Sequence, residues 1–162
     1  MPKPTLLILG AGGYGLAVAE AAELSGQWQD IIFADDRWPA MQQVQGYKIA
    51  SNILNLKQLS SSTLQAIVAV GNNHLRQKWQ TLLSESGIIL TSIIHPRAVI
   101  SPSAQIGEGV SIMAGCVISS KTVINEGVIL NIGTLLDHDV NIEAFAHLSV
   151  GVKVASGKII AA

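Results

Sequence analysis

The chain has 162 residues, of which 49% are hydrophobic and 13% charged, so it can hold one domain or two small ones around a sizeable core. Its formal net charge is −1, with no basic run, which argues against nucleic acid as the main partner, and no apolar stretch approaches a membrane span. Cys116 is the single cysteine, which excludes an intrachain disulfide and reads as a compact core residue.

In chain order, Met1-Pro2-Lys3-Pro4 leads directly into an apolar run and does not read as a signal peptide. Thr5 to Leu9 reads as a buried strand. Gly10-Ala11-Gly12-Gly13-Tyr14-Gly15 follows, then a helix from about Leu16 to Ser25 with Gly26 as its stop. Ile31 to Ala34 is a second strand, ending at Asp35-Asp36. A polar loop with little pattern comes next. Gln65 to Val70 is a third strand, ending at Gly71-Asn72-Asn73. Asn73 is the expected cap of a helix from about His74 to Ser86, which Gly87 ends, with Arg76 read as an exposed helix residue. Strands alternating with helices imply a parallel sheet with helices outside it.

The glycines Gly10, Gly12 and Gly15 satisfy G-x-G-x-x-G between a strand and a helix. That spacing suits a tight turn whose amides face a phosphate. Asp35 lies where a ribose- or base-binding acid is expected. A full dinucleotide site needs two mononucleotide halves. About 90 residues supply one, so a nucleotide-activated sugar fits better than NAD.

From Ile94 every sixth residue is aliphatic: Ile94, Ile100, Ile106, Ile112, Ile118, Ile124, Leu130, Leu136, Ile142, Leu148, Val154 and Ile160. Four places on in each hexad stand small or β-branched residues, from Ala98 to Val152, until Lys158 breaks the rule. A period of six fits neither a helix nor an alternating strand. It fits a triangular parallel β-helix in which each hexad is one short strand and one turn, and stacked coils bury a common core. Residues 1–93 therefore read as a Rossmann-like nucleotide-binding domain and 94–162 as a β-helix.

Within the coils, His138 stands between Asp137 and Asp139 and is expected to face outward. A carboxylate beside an imidazole fixes its tautomer and raises its basicity, as a general base requires. His147 is expected outward on a different face. Two such histidines converge only if neighbouring chains pack together, and a three-faced prism suggests a trimer. His95 reads as structural and His74 as a surface residue.

These pieces together resemble the bacterial nucleotide-sugar N-acetyltransferases related to the sialic acid O-acetyltransferase group. The resemblance is carried by Gly10 to Gly15, Phe33-Ala34-Asp35-Asp36, Gly71-Asn72-Asn73 and Ile94-His95-Pro96 with Ile100 to Ala104. Most specific are Val128 to Asn131, Asp137-His138-Asp139, Phe145-Ala146-His147 and Ser149-Val150-Gly151. They occur in family order over nearly the whole chain.

A cytoplasmic protein is the default expectation from the start of the chain, and the resemblance implies a left-handed β-helix and a homotrimer with sites between subunits. It implies acetyl-CoA as donor co-substrate, no metal, and typically a UDP-linked amino-dideoxy sugar as acceptor. His138 matches the general base and Asp139 its supporting acid. Asn131 matches a polar residue facing the substrate. His147 and Gly151 match contacts to acetyl-CoA. Gly13, Tyr14, Gly15, Asp35, Asp36 and Gly71 match the nucleotide-sugar pocket, with Tyr14 where the family commonly has histidine. Family members continue for more coils beyond the position of Ala162, so the expectation is a truncated relative with an incomplete donor groove. Two other readings are a non-catalytic nucleotide-sugar-binding module and a histidine metalloenzyme, which would need a third ligand.

Overall fold

The structure is a computed structural model that describes residues 2–162; Met1, part of the N-terminal reading above, lies outside the described residues. Its first half is a six-stranded sheet flanked by helices. Strand β1 (Thr5–Leu9) lies between β2 (Asp30–Ala34) and β5 (Leu64–Val68), parallel to both. Strand β4 (Tyr47–Ser51) adds to β2 in parallel, β3 (Gln43–Val44) returns antiparallel to β4, and β6 (Ile89–Leu90) flanks β5. The order β3-β4-β2-β1-β5-β6 reverses direction at β1. A cleft outside the carboxyl ends of β1 and β5 is therefore the place where such sheets receive ligands.

β1 is apolar throughout because both of its faces are covered. Leu6 and Ile8 pack with the helix α1 (Gly13–Ser25), while Leu7 and Leu9 face the other layer with Leu83 and Trp79 of α2 (Asn73–Glu85). Helix α1 begins three residues earlier than the pattern suggested, inside the glycine stretch, with Gly12 as N-cap. Helix α2 is capped by Asn72 rather than Asn73: the Asn72 side chain accepts a hydrogen bond from the Leu75 amide at 2.8 Å. Gly26 and Gly87 take left-handed conformations after the two helices, as expected of terminal glycines.

The stretch read as a patternless polar loop holds β3, β4 and a 3-10 segment, Ile53–Leu59. The signal was the two-residue turn Gln45-Gly46, both with positive φ, which reverses the chain into a hairpin. The strands are short, and the alternation Tyr47-Lys48-Ile49 of β4 is broken by Ala50 and the buried polar Ser51, so periodicity alone passed them over.

From Ile93 onward the chain winds into a left-handed parallel β-helix. Its three faces are four-stranded parallel sheets of two-residue strands. Pairing joins residues one coil apart: Ile94, Ile112, Leu130 and Leu148 lie on the first face, and Ile100, Ile118, Leu136 and Val154 on the second. Ile106, Ile124, Ile142 and Ile160 form the third. These aliphatics and the small residues Val110, Cys116, Val128, Val140 and Ala146 form one core column. The polar members of the small-residue series are paired: Thr122 Oγ1 donates to the Asp137 carbonyl and Thr134 Oγ1 to the Asn131 carbonyl. Lys158, which breaks the series, is exposed.

One hexad position recurs with positive φ. Gly109, Gly115, Gly127, Gly133, Gly151 and Gly157 occupy it, and in the same phase stand Lys121, Asp139 and Phe145. Glycine is suited to this turn because a side chain crowds the left-handed conformation. Phe145 accepts it at φ 63° while its ring covers Gly127, where any Cβ would overlap the ring.

The two halves are packed together. Ile93 and Met113 join the core cluster that contains the buried residues of α1. Tyr14 on α1 hydrogen-bonds Ser111 on the first face. Among the described residues no helix is long and apolar enough to cross a membrane.

Candidate active site

Two groups of the expected residues are positioned by different elements. The first is the corner after Leu135–Leu136 on the second face. Here the Asp137 carboxylate accepts the His138 backbone N–H at 2.8 Å, closing the turn. Asp139 has φ 58°, which swings its carboxylate back onto the preceding residue. The result is a hydrogen bond of 2.7 Å between His138 Nδ1 and Asp139 Oδ2. Both side chains are 55% exposed. Because a carboxylate only accepts, Nδ1 carries the proton and Nε2 presents its lone pair outward. The hydrogen bond to Asp139, helped by the charge of Asp137, raises the pKa of His138 above the ordinary imidazole value, and Lys121 one coil away opposes this.

The second group surrounds the carboxyl ends of β1 and β5. Helix α1 starts there with no side-chain cap and no acidic residue in its first turn, leaving its first amides for an anion. Gly12 and Gly13 are exposed, and a Cβ at either would meet nothing within 4 Å, so space lies in front of the loop. Gly15 is different. It is buried, and a Cβ would overlap the Gly10 carbonyl oxygen, so glycine here permits close packing of helix on strand.

Asp35 braces the loop. Its carboxylate accepts the Ala11 amide at 2.9 Å and takes two bonds from the Arg37 guanidinium, at 2.8 and 3.0 Å, while Arg37 also donates to the Ala11 carbonyl. The Arg37 hydrogen bond, with the backbone bonds, pulls the Asp35 pKa down to about 2. Asp36 is exposed beside it.

Tyr14 does more than line a pocket. Its hydroxyl meets Ser111, its ring centroid lies 6.4 Å from that of His147, and burial pushes its pKa up. Gly71 closes the group: its carbonyl oxygen lies 3.2 Å from His147 Nδ1. Tyr14 and Gly71, expected in the nucleotide-sugar pocket, thus meet His147, expected at acetyl-CoA, where the sheet abuts the first face. Asn131 follows Ile129–Leu130, the strand paired in register with His147–Leu148, and its side chain accepts its neighbour's amide at 2.8 Å. Gly151 is exposed at the next corner, with φ 74°. His138 stands at a different corner from His147, as expected. His95 Nδ1 accepts the Arg97 amide and holds the entry turn, and His74 is exposed near the start of α2.

Arg76 is the residue sequence reasoning misplaced. It is 0% exposed rather than a surface residue. Nε donates to the Gly127 carbonyl at 2.6 Å, Nη1 to those of Val70 and Gly71, and Nη2 to the Phe145 carbonyl and the Asn73 side chain. Burial lowers its pKa to about 10, so it remains a cation at neutral pH, solvated by carbonyl dipoles. No local signal marked it, because its acceptors come from the loop after β5 and from two coils far along the chain. Among the described residues no group of three or more His, Cys, Asp or Glu side chains gathers as a metal site.

The family described as "PglD N-terminal domain" matches residues 5–83. The acetyltransferase domain of PglB from Neisseria gonorrhoeae, solved in complex with acetyl coenzyme A, is 34% identical with a TM-score of 0.88. The match covers 98% of this chain and 85% of that one. A mutant of GDP-perosamine N-acetyltransferase from Caulobacter crescentus, in complex with CoA and GDP-perosamine, is 34% identical over 96% of this chain and 73% of that one, with a TM-score of 0.87. PerB from Caulobacter crescentus, with the same two ligands, is 33% identical over 97% and 77%, with a TM-score of 0.81. No curated protein matches the chain.

An α/β sheet built onto a left-handed β-helix, shared over nearly the whole chain with acetyltransferases, is thus an acyltransferase architecture, and the chain is an acyltransferase. Shared fold, identity over nearly its whole length and order of motifs carry this further. The chain belongs to the bacterial nucleotide-sugar N-acetyltransferases of the sialic acid O-acetyltransferase-like hexapeptide-repeat family.

Proposed function

We propose that the protein transfers the acetyl group of acetyl-CoA to the amino group of a nucleotide-activated amino-dideoxy sugar, with His138 as general base at a subunit interface. The observation that carries this is the exposed His138–Asp139 pair at 2.7 Å. Asp139 holds the Nδ1 proton, so Nε2 takes the proton of the attacking amine. As the C–N bond forms and the C–S bond breaks, that proton passes to the departing CoA sulfur, and His138 returns to its starting state. A positioned base of this kind contributes roughly a hundred- to ten-thousand-fold.

The sugar nucleotide is held by the α1 amides and the open space before Gly12 and Gly13, with Gly13, Tyr14, Gly15, Asp35, Asp36 and Gly71 forming or shaping the pocket. Asn131 faces the acceptor, and His147 and Gly151 contact acetyl-CoA. The supporting geometry is the convergence of the α1 start, the Asp35–Arg37 brace and Gly71 at the reversal of strand order. The relatives solved with CoA and GDP-perosamine support a nucleotide-linked acceptor.

The proposed assembly is a homotrimer. Val99, Val117 and Leu135 stack as exposed apolar residues along the second face, at 63%, 41% and 38% exposure, and Ile132 and Val150 extend the strip at the adjoining corners. A copy seated on that strip lies beside His138 and can bring its own first-face edge, with His147 and Asn131, to it.

The test is thiol release from acetyl-CoA with UDP- and GDP-linked amino sugars side by side. His138→Ala is expected to lower kcat by roughly a hundred-fold or more. Tight sugar-nucleotide binding with no release, unchanged in His138→Ala, would sink the reading in favour of a binding module.

A further inference from the structure

We propose that Arg76 is a positioning residue for His147: it locks the Gly71 carbonyl and the Phe145 turn, so that His147 is held as the Nδ1–H tautomer with Nε2 bare toward the donor. This rests on the proposed reading of His147 as the acetyl-CoA contact.

The geometry points to it from three sides. The Gly71 oxygen is shared, taking a bond from Arg76 Nη1 at 3.2 Å and lying 3.2 Å from His147 Nδ1. A carbonyl only accepts, so His147 must donate through Nδ1, which leaves Nε2 as an acceptor. Arg76 Nη2 also holds the Phe145 carbonyl at 2.6 Å, two residues before His147. That residue sits in a left-handed conformation that a bulky side chain does not adopt unless its surroundings impose it. Finally, Gly71 lies against the ring itself: a Cβ there would sit in ordinary contact, 3.4 Å from His147 Cε1.

A buried cation is costly unless its hydrogen bonds are met. All five bonds of Arg76 run to carbonyl oxygens on both halves of the chain. Only a planar fork spans acceptors so arranged; a lysine ammonium offers three donors from one point. The same residue thereby ties the loop after β5, part of the proposed sugar-nucleotide pocket, to the histidine proposed for the donor.

The experiment is 15N NMR of the His147 ring together with steady-state kinetics. Wild-type protein is expected to show the neutral Nδ1–H tautomer, and a wild-type Nε2–H tautomer overturns the inference with no variant needed. In folded Arg76→Lys the tautomers are expected to mix, and the KM for acetyl-CoA to rise roughly ten-fold, a change that falls more on KM than on kcat. A folded Arg76→Lys with unchanged tautomer and unchanged KM overturns it. Should that variant fail to fold, Asn73→Ala loosens one arm of the fork, bonded at 3.0 Å, without deleting the cation. An unmoved His147 ring spectrum there overturns it as well. His147→Ala separates the two readings. If its KM for acetyl-CoA stays at the wild-type value, the donor contact is wrong, while the tautomer result still decides the role of Arg76.

Discussion

Asp139 meets two demands with one residue. It fills a turn position that most coils give to glycine, at a conformational cost of roughly 1–2 kcal/mol for an ordinary side chain, which aspartate tolerates better than most. In return its carboxylate reaches back to His138. Since Asp139 is the largest cause of the raised His138 pKa, its removal lowers that pKa. As the proposed general base, His138 must be neutral to act, so in Asp139→Asn the acid limb of kcat/KM is expected to move to lower pH. The plateau falls as well, because the Nδ1 proton loses its anionic partner. A pH–rate profile checks both, and an acid limb that stays put would remove His138 from the role of base. Asp35 follows the opposite sign: its depressed pKa contributes stability above the ordinary carboxylate range, lost as pH falls toward 2.

At the scale of elements, the β-helix is a stack in which each coil rests on its neighbours, so the cost of a lost side chain depends on its place in the stack. Leu130 is fully buried in the core column, with strand neighbours on both sides. Leu130→Ala is expected to cost about 2–5 kcal/mol. Ile160, partly buried on a strand described with one neighbour, should lose less on the same truncation. Denaturant unfolding of the two variants reads the difference, and equal losses would mean that the column does not act as one core. Helix α1 shows the complementary logic. Gly15 lets it close on Gly10, and the uncapped start at Gly12 leaves amides free of a side-chain cap, so in the proposed reading one motif serves packing and binding with different glycines.

At the scale of the whole molecule, the apolar strip on the second face sets the expected assembly. Val117 lies in its middle and points outward. Val117→Glu should be nearly silent for the fold of a single subunit, where its side chain meets water. A trimer seated on the strip must bury that charge without a partner, so the variant should sediment as a monomer and lose acetyl transfer. A Val117→Glu protein that remains trimeric would place the interface elsewhere. If it is monomeric yet fully active, the His138 site does not need a neighbour.

Much of this molecule was legible in its residues. The aliphatic hexads specify the β-helix because a strict period admits one way of burying every sixth side chain. The same phase put His138 and His147 outward on different faces, where both stand exposed. The glycine motif located the start of α1 to within three residues and the cleft it opens onto. What escaped was whatever depends on segments distant in sequence. Arg76 looked like a surface residue because nothing near it on α2 reveals that Gly127 and Phe145 will lie against it. The bond of Tyr14 to Ser111 was not visible because the two are 97 positions apart. Asp35 looked free for a ligand because its bond from the Ala11 amide, 24 positions away, exists only once β2 lies beside β1, whereas the Arg37 bond two residues on is local. Periodicity reports which side of its own element a residue faces. Only the packed tertiary structure decides what lies on that side, and here it set a buried guanidinium between the two halves of the chain.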